Sequence, residues 1–310
     1  MPPKKGRRSK KRVSKETSRR SHRRSRRTRT RSYRGIPRRI RQLFKSKESH
    51  TNTLTYDPAQ RLTTHPFNLT DIKADIIRLQ EDIEDQHLNI FARACEQGLL
   101  ENCKYLDLSV NKITAGGIKH LAGVMKFLPN LDTLKLGHNQ IRGAGCTALV
   151  EAINALSKLK ELNLDENEIG DEGMESFRNL TTAPPRFQPR ILSLKSNNIG
   201  NEGMTALADA AACTVLWKCE KLDLADNVFN DDGLQALVSQ IYYLPNLTEL
   251  SLALNFEIGN NGIEALYDAL VANKLPKLQL LRLNDQPYTM LPALKTACTQ
   301  RNIELHLEET

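Results

Sequence analysis

A fifteen-residue phrase, LxxLxLxxNxIxxxG, returns every 28 to 30 residues along this chain, and a recurrence of that length admits few architectures. It is clearest as Leu131, Leu134, Leu136, Asn139, Ile141, Gly145 and again as Leu159, Leu162, Leu164, Asn167, Ile169, Gly173. Further copies run through Leu106, Leu108, Asn111, Ile113, Gly117, through Leu192, Leu194, Asn197, Ile199, Gly203, and through Leu222, Leu224, Asn227, Phe229, Gly233. Another reads Leu250, Leu252, Asn255, Ile258, Gly262, with one extra residue after its Asn. A last, decayed copy keeps Leu278, Leu281 and Leu283 but places Gln286 where the Asn is expected.

Alternation across Leu134, Lys135 and Leu136 has period two, so a short strand turns its leucines to one face and the intervening side chains to the other. The Asn that follows carries two donors and an acceptor, enough to satisfy backbone groups in a buried turn. After the Gly, apolar residues fall three apart, as in Gly145, Cys146, Leu149 and Gly203, Met204, Leu207, which predicts a helix packed on the strand. One strand and one helix cannot bury their apolar faces alone, so each unit needs a neighbour. The expected fold is α/β: a curved solenoid with parallel strands on the concave face and helices on the convex face.

Over roughly residues 95 to 307 these motifs, with a helix in every repeat, resemble the ribonuclease-inhibitor-like class of leucine-rich-repeat proteins. The resemblance implies a horseshoe-shaped leucine-rich-repeat solenoid that binds other macromolecules, and leaves the partner unnamed.

Charge divides the chain. Residues 1 to 47 hold 22 Lys or Arg and one Glu, leaving 23 basic and 35 acidic residues on the remainder, so the overall +9 hides an arm and a body of opposite sign. The arm offers almost nothing apolar to bury and is expected to be disordered. Residues 48 to 69, with Pro58 and Pro66, read as linker. Thr70 suits a helix N-cap, and Ile72, Ile76, Leu79 and Ile83 follow at helical spacing; with Leu88, Phe91 and Ala94 they predict a helical N-terminal cap over 70 to 102. The solenoid of about seven repeats then spans 103 to 307. Pro184, Pro185 and Pro189 mark a loop that lengthens one repeat, and Leu294 to Cys298 with Ile303, Leu305 and Leu307 predict a closing helix and strand.

Six cysteines, with no CxxC pair, mostly occupy apolar positions of the repeat; this fits free thiols in a reducing compartment and gives no metal-ligand cluster. No apolar run is long enough to span a bilayer, and the highly charged first residues lack the apolar stretch of a secretory signal. The expectation is a monomer with no cofactor and no membrane partner.

Two surfaces are candidates for function. In the arm, Lys4, Lys5, Arg7, Arg8, Lys10, Lys11 and Arg12, followed by Arg19, Arg20, Arg23, Arg24, Arg26 and Arg27, form dense cationic clusters. Such clusters bind phosphates by counterion release or serve an import receptor, which points to nucleic acid, to nuclear or nucleolar localisation, or to both. Cytoplasmic residence and a mitochondrial presequence are the alternatives, the latter weakened by the lack of an apolar stripe. On the strands, the residues between the leucines face the hollow: Tyr105, Asp107, Thr133, Lys135, Glu161, Asn163, Asp165, Ser193, Lys195, Asp223, Glu249, Ser251 and Arg282. Acids outnumber bases there, which suits a basic protein partner, and the run DENEIGDEGME at 165 to 175 concentrates that charge.

The seven histidines are scattered and no nucleophile is paired with a base, so a non-catalytic adaptor is expected. One alternative comes from LADNVFNDDG at 224 to 233, which resembles the DNAFG stretch of Ran GTPase-activating proteins and would give Asn227 an activating role. Val228 and Asn230 depart from that pattern.

Overall fold

In the computed structural model, residues 53 to 55, 75 to 79, 83 to 180 and 186 to 308 are described. They form one parallel sheet of ten strands in sequence order. The strands are β1 (Thr53–Thr55), β2 (Ile76–Arg78), β3 (Tyr105–Asp107), β4 (Thr133–Lys135), β5 (Glu161–Asn163), β6 (Ile191–Ser193), β7 (Lys221–Asp223), β8 (Glu249–Ser251), β9 (Leu280–Asn284) and β10 (Glu304–Glu308). From β2 onward a helix follows each strand but the last: α1 (Asp85–Glu96), α2 (Ala115–Val124), α3 (Arg142–Ile153), α4 (Gly170–Arg178), α5 (Asn201–Ala212), α6 (Asp231–Ser239), α7 (Asn260–Val271) and α8 (Leu291–Gln300). The predicted α/β solenoid is the observed one.

Register makes the core a column. Ile77, Leu106, Leu134, Leu162, Leu192, Leu222, Leu250 and Leu281 are successive Cα partners across the sheet, and each is at most 1% exposed. Each such side chain contributes about 1.5–3 kcal/mol by leaving water. Leu305, next in the column, is only half-buried because β10 ends the sheet and has a neighbour on one side alone.

The recurring Asn forms the expected ladder. Asn167 donates from Nδ2 to the Leu136 and Leu164 carbonyls (2.9 and 3.0 Å), while its Oδ1 accepts the Ile141 N–H of the preceding repeat at 3.4 Å. Asn197 and Asn227 repeat the pattern, one rung on. In the decayed copy the position of the ladder Asn is Gln286, and the buried amide nearby is Asn284, which is 2% exposed and accepts the Leu254 N–H. Just before the ladder Asn, Val110, His138, Glu166, Ser196, Asp226 and Leu254 all take left-handed backbone (φ 53–60°), which turns the chain from strand toward helix.

A second ladder was not anticipated. Asp171 Oδ1, at the start of α4, accepts the N–H groups of Gly200 and Gly203 (2.7 and 2.9 Å) at the start of α5. Asn201 does the same for Asn230 and Gly233, and Asp231 for Gly259 and Gly262. α4, α5 and α6 thus each cap the helix that follows, satisfying donors that a helix start leaves open. This explains the Gly at those three helix starts: a Cβ on Gly233 would lie 2.7 Å from the Asn201 side-chain oxygen, and one on Gly262 would lie 2.6 Å from Asp231.

The N-terminal region departs from expectation. Ile76 to Arg78 is a strand paired with Tyr105 to Asp107, not part of a helix running from Thr70. Ile77 and Leu79, two apart, are buried as Leu106 and Leu108 are, and the three-and-four spacing of Ile76, Leu79 and Ile83 is incidental. The helix begins at Asp85, where the Glu84 N–H donates to His87 Nδ1 at 2.9 Å. Within 48 to 69, read as linker, Thr53–Thr55 is a strand parallel to β2. Thr70 and Ile72, Pro184 and Pro185, and the basic arm lie outside the described residues. Five of the six cysteines are buried in the core as expected, whereas Cys213 is exposed at the end of α5.

Candidate protein-binding face

Because strands pair in parallel and in register, residues between the core leucines line up in two rows across the open face of the sheet. One row reads Ile76, Tyr105, Thr133, Glu161, Ile191, Lys221, Glu249, Leu280; the other reads Arg78, Asp107, Lys135, Asn163, Ser193, Asp223, Ser251, Arg282. Ion pairs tie the first row together, Lys221 to Glu249 at 2.5 Å, and cross between rows, Lys135 to Glu161 at 3.1 Å. At the β2 end Tyr105 is flanked by two cations: the Arg78 guanidinium is 5.1 Å and the Lys135 ammonium 5.7 Å from its ring centre. Burial acts to lower the Lys135 pKa, but its hydrogen bond to Glu161 and the acids around it raise it overall.

Toward the middle the face opens into a cleft of about 190 Å³ lined by Glu161, Asn163, Ile191, Ser193, Lys221, Asp223, Glu249, Ser251 and Arg282. It gathers seven of the thirteen strand residues expected to meet a partner. Asp223 lies within it, bonded to the Ala225 N–H at 3.0 Å and to the Ser251 side chain. Burial pushes its carboxyl pKa up, outweighing those bonds, and the Asp165 carboxylate pushes the same way.

Tyr105, Thr133 and Lys135 are half-exposed but belong to the β2 end, away from the cleft lining. Two expected display residues are buried instead, Asp107 at 6% and Ser251 at 7% exposure. Asp107 turns back to accept the Ser109 N–H (3.0 Å), and its charge also acts on Lys135 of the next strand. Asp165 and Lys195 sit one row further along, where Asp165 accepts the Ser193 hydroxyl (2.5 Å) and the Lys195 backbone N–H (3.0 Å). Much of the acidic run is likewise engaged: Glu168 meets Arg142 at 3.1 Å, Glu166 meets His138 at 2.7 Å, and Asp171 caps α5. Arg78 and Ile191 were missed. Strand register with Glu161 and Lys221 was the available signal for Ile191, but it is apolar; Arg78 was hidden inside the helix assigned to its segment.

Asn227 is 6% exposed, and its amide is committed to the ladder through bonds to Asn197, Ile199, Leu194, Leu224 and Ala225. Nothing is left over for contacting a GTPase. Among the described residues no cluster of His, Cys, Asp or Glu is arranged to hold a metal, and no helix is long and apolar enough to cross a membrane.

A family model described as Leucine Rich repeat matches residues 127–150, 155–177, 190–208, 220–238 and 243–266. These residues are leucine-rich repeats. The matched blocks fall on the strand-and-helix units from β4 to α7, and repeats of this kind suggest a protein-binding role. Among solved structures 95 chains match. One, a Bacteroides fragilis protein, aligns at 14% identity over 76% of this chain and 66% of its own length, with a TM-score of 0.39. No curated protein matches the sequence.

Proposed function

We propose that this protein is a non-catalytic adaptor that holds a protein partner against the strand face while its basic arm directs it to the nucleus or nucleolus, or tethers it to nucleic acid. The reading is carried by the cleft around Asp223, where half-exposed acids, an arginine and Ile191 from neighbouring strands converge on one solvent-facing surface. Rigid strands hold these groups in place, so little ordering entropy opposes docking. Within the cleft Glu161, Asp223 and Glu249 outnumber Lys221 and Arg282, which suits a basic partner. The 22 cations of residues 1 to 47 support the second half of the reading, since each neutralised phosphate releases a counterion.

Paired measurements test both halves. Affinity capture with wild-type protein and with Glu161→Lys/Glu249→Lys is expected to retain a basic partner on the first alone, with Glu264→Lys on α7 as the matched control. Equal recovery from all three refutes a strand-face partner. Retention on RNA that weakens steeply with salt and disappears on removing residues 1 to 47 supports tethering, whereas import into mitochondria with cleavage near residue 45 displaces it.

A further inference from the structure

Parallel topology places every strand and helix start on one edge of the sheet-and-helix array or the other, and charge follows that division. The edge where helices begin carries Glu166, Glu168, Asp171, Glu172, Asp231 and Asp232, with few bases. The edge where helices end carries Lys126, Lys158, Lys160, Arg186, Lys218 and Lys277, with few acids. Aligned helix dipoles account for this much, since carboxylates are favoured at helix starts and cations at helix ends.

They do not account for the aromatics on the basic edge. Trp217 is 45% exposed and Tyr242 is 51% exposed. Trp217 occupies the position, five residues before the strand leucine, where Phe187 is completely buried and other repeats place Pro129, Ser157, Pro245 and Pro276. The Tyr242 ring lies 4.0 Å from that of Tyr243. Hydrogen bonds fix this part of the edge: Asn246 Nδ2 donates to the Trp217 carbonyl (2.7 Å) and Lys277 Nζ donates to Asn246 Oδ1 (2.7 Å). Lys218 and Lys274, both exposed, form no ion pair among the described residues. Exposed rings in two successive repeats, with Lys218 and Lys274 free of ion pairs on the same edge, suit a chain that offers a flat π-face and a phosphate at each step.

We infer that the basic edge of the solenoid around Trp217 and Tyr242 is a binding surface for single-stranded nucleic acid, with bases stacking on the two rings and Lys218, Lys274 and Lys277 meeting phosphates. None of these residues lines the cleft around Asp223.

Trp217 is the chain's single tryptophan, so its emission reports on this surface in the full-length protein. Titration with an oligothymidylate is expected to quench it, and the matching duplex to quench it less, because paired bases are already stacked. Trp217→Ala, read by anisotropy of a labelled oligothymidylate, is expected to weaken binding about tenfold. Lys218→Glu/Lys274→Glu is expected to weaken it and to flatten its salt dependence, with unchanged thermal melting confirming the fold. Asp232→Asn on the opposite edge is the neutral control. Unchanged Trp217 emission at saturation, with Trp217→Ala binding as wild type, overturns the inference and leaves binding to the arm. Equal quenching by polyglutamate also overturns it, in favour of an acidic protein partner.

Discussion

Gly203 and Gly123 are both helical glycines, yet they answer to different forces. A Cβ on Gly203 would run into the Asp171 carboxylate that caps its own helix and lie 3.2 Å from Met174, whereas one on Gly123 would meet nothing within 4 Å. Gly203→Ala is therefore expected to destabilise the fold by about 2 kcal/mol through lost capping and overpacking, and Gly123→Ala to stabilise it by roughly 0.5–1 kcal/mol through helix propensity. Chemical denaturation of the two variants gives both signs, and a shared sign contradicts the capping account. Asp223 supplies a second residue-scale test. Its folded pKa is raised, chiefly by burial, so the native state holds the proton at pH values where the unfolded chain has released it. Its contribution is most favourable below the unfolded value and is lost as pH rises through the folded one. Asp223→Asn is expected to raise Tm at neutral pH, with the gain shrinking as pH falls toward the ordinary carboxyl range; a lower Tm at neutral pH contradicts this reading.

At the scale of elements, the strand leucines, the ladder Asn and the following helices were legible because each repeats its own periodicity in every unit. The segment before Leu88 was not, because Ile76, Leu79 and Ile83 satisfy helical spacing while Ile77 and Leu79 satisfy strand spacing. Periodicity alone does not separate the two over so short a stretch. The neighbour β3 decides, offering a free sheet edge and a column of leucines to extend. The two readings bury different residues: Ile77 is fully buried and Ile76 half-exposed. Ile77→Ala is expected to cost about 3 kcal/mol and Ile76→Ala under about 1 kcal/mol, and the reverse order in thermal melting restores the helix. The helix-capping ladder was also unread, since Asp171, Asn201 and Asp231 differ in type and their partners lie about thirty residues on.

Across the whole molecule the described repeats share a continuous interior, and the cysteines sample it. Burial raises the Cys103, Cys146 and Cys219 thiols to about 12 and pushes Cys95 and Cys298 up as well. Cys213 alone is exposed. Thiolate is the reactive form, so a thiol-exchange reagent at neutral pH is expected to modify Cys213 rapidly in the native protein and all six cysteines in denaturant. Fast native reaction at Cys146 or Cys219 contradicts a closed interior.

Local pattern along the chain sets the unit and its stacking: leucines two apart must share a face, an amide must fill a buried turn, and a strand with one helix must borrow a neighbour to hide its apolar side. It also sets which strand positions avoid the core. Packing in three dimensions sets which of those positions share a cleft, which turn back into the backbone as Asp107 does, and how the two edges come to carry opposite charge. Such outcomes depend on strand register and on groups from adjacent repeats meeting in space, and one unit's local pattern carries no record of what lies beside it.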